Sequence, residues 1–212
     1  KWVDHAISHA RSRDASITEL EFPYEYRKGQ KQMAACVYKA IEGERRLFVQ
    51  APTGIGKTMA AMFPSVKAFA TGLVSKIFYL TAKTIAGTVP DQALTLLRER
   101  GVKFSSVMLT AKEKICLNET MECDAEHCPY AKGHFDRVND AVYDLLKNGG
   151  GMGRKEIEEQ AEKFQVCPFE FALDLSVWAD GIICDYNYVF DPNAHLKRFF
   201  ADGGNNHYPV SY

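Results

Sequence analysis

Long apolar runs are missing from this 212-residue chain: none approaches the roughly 18 residues a membrane-spanning helix needs. The first residues, Lys1 to Arg13, carry His5, His9 and Arg11 without an apolar core. No secretory leader is therefore expected, and the chain reads as cytoplasmic, nucleoid-associated if bacterial. There is no internal repeat, and no excess of one charge. With 26 Lys and Arg against 27 Asp and Glu, the net charge of −1 argues neither for nor against a nucleic-acid partner. The distribution is less even. Residues 1–109 hold 16 basic and 9 acidic side chains, residues 110–170 hold 8 and 13, and residues 171–212 hold 2 and 5. The acidic middle is no simple cationic clamp.

What is present alternates. A helix is expected from Lys31 to about Glu42, with Met33, Val37, Ala40 and Ile41 at helical spacing and Gly43 ending it. Leu47 to Gln50 reads as a short buried strand, and Lys57 to Ala70 as the helix after it. Lys76–Leu80 is the next strand, followed by a helix over about Asp91–Arg100 and a third strand within Phe104–Leu109. Strands alternating with helices predict a parallel sheet covered by helices, the α/β class. The alternation breaks near Thr110. Residues 110–170 carry a glycine run at 149–153 between two helical stretches, about His134–Lys147 and Arg154–Phe164, and strand pattern resumes at Gly181–Asp185. The reading is an α/β domain begun over 26–109, interrupted by an insertion over 110–170 and resumed over 171–212. Residues 1–25 form a polar, weakly patterned leader, and the tail from Gly203 shows no packing pattern.

Between the strand at 47–50 and the helix at 57 lies Ala51-Pro52-Thr53-Gly54-Ile55-Gly56-Lys57-Thr58. This is a Walker A loop with Ala51 in place of the usual first glycine. Backbone N–H groups of Thr53 to Gly56 cradle phosphates, aided by the helix dipole. Lys57 reaches the β- and γ-phosphates, and the Thr58 hydroxyl binds Mg²⁺. The motif establishes binding of a nucleotide such as ATP; kinases and other phosphate-loop proteins use the same chemistry.

Six cysteines occur, and four fall as C-x6-C-x4-C-x38-C at Cys116, Cys123, Cys128 and Cys167. In a reducing compartment, clustered thiols read as ligands rather than disulfides. Four thiolates hold either a [4Fe–4S] cluster or tetrahedral zinc. The spacing lacks the paired C-x2-C knuckles typical of zinc modules, which favours the cluster and leaves zinc as the alternative. Cys36 and Cys184 lie in apolar patterns and are expected in the core.

The surroundings of these motifs resemble helicases of superfamily 2, of the XPD/DinG type. Arg27 and Gln30 match an Arg-x-x-Gln segment that meets adenine. Tyr79-Leu80-Thr81-Ala82-Lys83-Thr84 resembles a motif that touches the single-strand backbone. The four-cysteine insertion, its flanks Lys112–Asn118 and Cys167–Glu170, and Asp185-Tyr186-Asn187-Tyr188-Val189-Phe190-Asp191-Pro192 also resemble that family, in its order. The resemblance covers about residues 22–200. It implies part of a RecA-like domain interrupted by an iron–sulfur domain, with Cys116, Cys123, Cys128 and Cys167 as cluster ligands. It also implies an ATP-dependent 5′-to-3′ helicase on single-stranded and forked DNA, with Thr81, Lys83, Lys112 and Lys114 as candidate DNA contacts. The family's Asp-Glu-Ala-His box, which holds Mg²⁺ and the attacking water, does not occur in these residues. Neither does a second RecA-like domain, so the segment alone is expected not to turn over. Two other classes stay open: a phosphate-loop ATPase with a zinc interaction module, and a nucleic-acid-binding module without catalysis.

Overall fold

The computed structural model describes residues 1–82, 88–191, 196, 199–200 and 210–211. Its centre is a sheet with strands buried on both faces. In β1 (Ile77–Thr81) and β4 (Gly181–Asp185) side chains alternate between two apolar cores. Phe78, Leu80, Ile182 and Cys184 enter one core; Ile77, Tyr79 and Ile183 enter the other. Strands covered on both faces suit parallel pairing. β1 runs parallel to β4 with Ile77 opposite Gly181 and Thr81 opposite Asp185. β2 (Ser106–Met108) lies on the other side of β4, and β3 (Gly151–Met152) lies outside β2. β5 (Val210–Ser211) pairs beside β1. The order is β3-β2-β4-β1-β5.

One face carries α1 (Trp2–Thr18), α3 (Lys57–Ala70) and α4 (Thr88–Glu99), with α2 (Gln30–Glu42) packed on α3. The other carries α6 (His134–Asn148), α7 (Arg154–Phe164) and α8 (Pro168–Trp178). Two single-turn helices, α5 (Lys112–Ile115) and α9 (Asn187–Phe190), follow β2 and β4. Among the described residues no helix is long and apolar enough to cross a membrane.

The structure departs from the sequence-based expectations in four places. Residues 2–18 form a helix rather than an unpatterned leader. Val3 and Ile7 are exposed and Ile17 is buried, and rings and charges hold the rest of the helix. Trp2 stacks on Trp178 at 4.6 Å and meets Tyr143 edge-on at 5.2 Å. Arg13 and His9 both bond the buried carboxylate of Asp180. Second, residues 47–50 form no strand, and Phe48 is 90% exposed. The run is apolar enough for one, but both edges of β1 are already paired, to β4 and β5. Third, Cys36 is exposed. α2 turns Gln30, Ala34, Tyr38 and Ile41 inward, and Cys36 sits two residues from Ala34, on the far side of a 3.6-residue turn. Fourth, residues 168–178, divided by the sequence reading between the insertion ending at 170 and the domain resumed at 171, with no helix expected there, form α8. That helix is apolar almost all round, and a helix buried on most sides carries little periodic signal.

The segment 110–170 shares the domain's core. Val138, Val142 and Ile157 pack in the same cluster as Phe78 and Ile182, and the glycine run supplies β3 to the sheet. α8 is tied to the strand side by Lys76. Its buried ammonium donates to the carbonyls of Ser176 at 2.9 Å and Val177 at 3.2 Å, and to that of Ala179. Cationic donors at a helix C-terminus satisfy carbonyls that have no intrahelical partner.

Candidate nucleotide site and cysteine cavity

The phosphate loop occupies residues 51–56 and ends at the first turn of α3. Gly54 and Gly56 both take positive φ, 85° and 80°, which L side chains adopt only at a cost. Gly56 has a second constraint. A Cβ there would lie 2.4 Å from Gln30 Nε2, whereas nothing lies within 4 Å of one at Gly54. Gln30 is 3% exposed. Its Nε2 donates to the Gly56 carbonyl at 3.3 Å, and its Oε1 accepts the Arg27 N–H at 3.1 Å. The Arg27 guanidinium donates to the Gly54 carbonyl. The residues matched to the adenine-binding segment thus brace the loop from behind. Lys57 is exposed, and its ammonium donates to the carbonyls of Ala51 and Pro52 at 3.1 Å each. The cation is held over the loop by weak neutral acceptors, a position from which it can exchange them for charged ones. Thr53 and Ile55 complete the loop.

Thr58 shares a cleft of about 550 Å³ with Thr81 and Ala82 at the end of β1, and with Tyr186 and Phe190. Ligands of parallel α/β sheets bind at the carboxyl ends of strands, where this cleft lies. Thr81 is buried, its hydroxyl 3.4 Å from the Cys184 carbonyl. Lys114 lines a separate cleft of about 320 Å³ with Thr81, Glu113, Asp185 and Asn187. Lys83 lies outside the described residues.

Cys116, Cys123, Cys128 and Cys167, scattered over 52 positions of sequence, line one cavity. α5 delivers Cys116, and Cys167 caps α8. Cys128 is buried and Cys123 exposed. Burial raises the Cys167 thiol pKa, opposed by the N–H groups of Glu170 and Phe169 in the first turn of α8. Lys112 lines the same cavity. Burial works against its charge, but Cys123, Cys167 and Glu170 outweigh it and hold its pKa above the ordinary lysine value. Among the described residues no three His, Cys, Asp or Glu side chains are gathered closely enough to hold a metal ion. Four thiols around one cavity nonetheless fit a sulfur-ligated centre as a donor set. A polynuclear cluster keeps its ligand sulfurs further apart than the single tetrahedral ion, whose Zn–S bonds are about 2.3 Å.

Two neighbours of the cavity carried no role in the sequence reading. Asn118 Nδ2 lies 3.0 Å from the Cys128 sulfur. The Nδ1 of His134 accepts the Cys167 N–H at 3.2 Å, leaving its buried Nε2 without a protein partner. Burial keeps that imidazole's pKa below the ordinary value, although Asp174 and Glu170 oppose it. The contacts join residues 10 and 33 positions apart, a spacing that no helical or strand period marks.

Comparison with known proteins agrees with this geometry. The family described as DEAD/DEAH box helicase matches residues 27–128, and the family DEAD_2 matches residues 102–199. A probable ATP-dependent helicase of Methanocaldococcus jannaschii is 43% identical over 47 residues, 22% of this chain and 7% of that protein. A solved XPD helicase superposes with a TM-score of 0.59 at 20% identity, covering 87% of this chain and 31% of its own. The chain therefore spans under a third of the length of either relative. Helicase family models thus match the chain in succession from Arg27 to Phe199, over a fold like that of the solved XPD helicase.

Proposed function

We propose that this segment supplies the nucleotide site of an ATP-driven DNA helicase, one that moves 5′ to 3′ along single-stranded DNA and opens forked duplexes. The observation that carries the proposal is the braced loop. Gln30 and Arg27 hold Gly56 and Gly54 by their carbonyls, so the loop amides stay turned toward a phosphate, and Lys57 stands over them. When Mg²⁺ and ATP bind, Lys57 exchanges two carbonyls for phosphate oxygens, and Thr58 is the metal's hydroxyl ligand. Lys114, which lines the cleft at the end of β1, would contact the DNA backbone; Thr81 would shape that strand end, and Lys83 is assigned the same role as Lys114 from its sequence motif alone. Arg27 and Gln30 lie at the adenine end. These 212 residues contain no acidic box to hold the metal and attacking water, so hydrolysis needs further residues of the whole enzyme, and the segment alone binds nucleotide without turnover.

Cys116, Cys123, Cys128 and Cys167 would hold a [4Fe–4S] cluster. Bound there, the cluster cross-links residues 116–167 and adds folding energy to an acidic segment. Lys112 faces its sulfurs from the cavity wall.

The test is steady-state ATP hydrolysis by the full-length enzyme with and without single-stranded DNA. Lys57→Ala is expected to abolish the DNA-stimulated rate and to leave the iron content unchanged. Near-normal turnover in a folded Lys57→Ala protein would refute the assignment.

A further inference from the structure

The cysteine cavity is asymmetric. Three of its thiols are exposed or half-buried, and Cys128 alone is buried, 7% exposed. That buried sulfur accepts a side-chain hydrogen bond from Asn118 Nδ2 at 3.0 Å, whereas the side-chain bond from Lys112 goes to the exposed Cys123. Asn118 stands just beyond α5, next to Leu117, which packs on the main core. The carboxamide is therefore anchored from one side and aimed from the other. Its polarity is fixed by chemistry. A ligating sulfur has no proton to give, so only the NH₂ end of the amide can meet it.

We infer that Asn118 is a positioning residue that sets the reduction potential of the centre held by the four cysteines; the inference rests on the cluster reading above. An electron added to an iron–sulfur cluster increases the negative charge on its sulfurs. An N–H donor then stabilises the reduced form more than the oxidised one and raises the potential. The effect is greatest at a buried sulfur, where water does not compete. Lys112 acts at the other end of the cavity, beside the exposed Cys123, where solvent screens its charge.

The experiment is a potentiometric titration of the anaerobically purified protein, followed by electron paramagnetic resonance, with iron and acid-labile sulfide measured on each sample. Asn118→Leu keeps the branching at Cγ and removes the donor. At a fixed potential its reduced-to-oxidised ratio should fall roughly tenfold, about 59 mV for one electron. Asn118→Asp, which sets a carboxylate where the donor was, should fall further. A fully loaded Asn118→Leu protein with the wild-type midpoint overturns the inference and leaves the cluster standing. If Asn118→Leu does not load, Asn118→Asp decides: a midpoint at or above wild type overturns it. Zinc without sulfide in the wild type overturns the cluster reading and this inference together.

Discussion

Gly56 concentrates two demands on one residue. Its φ of 80° excludes most side chains, and Gln30 Nε2 occupies the space a Cβ would need. Gly54 shares only the first demand. Gly54→Ala should therefore cost about 1–2 kcal/mol, the price of a left-handed backbone. Gly56→Ala should cost more and also push Gln30 off the loop, weakening nucleotide binding at least about tenfold, roughly 1.4 kcal/mol. Denaturant midpoints and titration with a fluorescent ATP analogue measure the two effects; equal behaviour of the two variants would refute the bracing role of Gln30. The loop itself was legible in the sequence, because glycines before Gly-Lys-Thr have one strong structural use. The brace was not. Gln30 and Gly56 are 26 residues apart, and Arg27-x-x-Gln30 reads equally well as the start of a helix.

At the scale of elements, α1 is tied down largely by buried charge, with Val3 and Ile7 exposed, which is why it escaped the periodicity reading; α8 has the buried ammonium of Lys76 in addition to its apolar packing. Asp180 is 4% exposed and accepts from Arg13 at 2.5 Å, His9 at 2.8 Å and the Ser105 N–H at 2.8 Å. Burial alone would raise its pKa, but the hydrogen bond and charge of His9, the charge of Arg13 and the Ser105 amide hold it below the usual carboxylate range. A carboxylate with a lowered folded pKa contributes stability that is present above its unfolded value near 3.9 and lost as the pH falls toward its folded one. Asp180→Asn should therefore cost about 3 kcal/mol at pH 7, by taking from Arg13 the buried one of its two carboxylate partners, Asp14 being the exposed other. It should also flatten the acid limb of the stability curve, and hydrogen exchange should show α1 opened first. An unchanged acid limb would refute this. Lys76 works with the opposite sign. Burial lowers its pKa from 10.5 to about 8, so between those values the unfolded chain holds a proton that the folded chain has released. Its contribution to stability then rises with pH across that window, by on the order of 2–3 kcal/mol. Urea denaturation of wild type and Lys76→Met at pH 8 and pH 10 isolates this rise, which the variant should lack. The helices and strands with clear periods, α2, α3, α7, β1 and β4, were readable from sequence within about a residue or two, the ordinary uncertainty of element ends. The run at 47–50 was not, because its hydrophobicity speaks for burial and says nothing about whether a sheet edge is open to it.

For the whole molecule, the cysteine-rich segment and the nucleotide domain form one body with two cores on either side of one sheet. The four-cysteine spacing was visible in the sequence. That the segment also gives β3 to the sheet was not, since a two-residue strand in a glycine run has no pattern of its own. Serine at Cys116, Cys123, Cys128 or Cys167 should bleach the protein and lower its melting temperature by loosening residues 110–170. Cys36→Ser should change neither colour nor stability, because Cys36 is exposed. Cys184→Ser should keep the colour and cost about 1–3 kcal/mol for a hydroxyl placed in the core. Ultraviolet–visible spectra and thermal melts of the six variants decide; colour lost in Cys36→Ser and kept in Cys123→Ser would reverse the ligand assignment.

The clasp between Arg13 and Asp180 joins residues 167 positions apart. During synthesis α1 leaves the ribosome well before its anchor, which follows 167 residues later, roughly ten to thirty seconds at ordinary elongation rates. Until then Trp2 and Trp178 cannot stack, and Arg13 has its neighbour Asp14 but not Asp180. α1 is thus made early and folded late, and a nascent chain stalled before Asp180 carries it loose, open to proteases and chaperones that the finished fold shuts out.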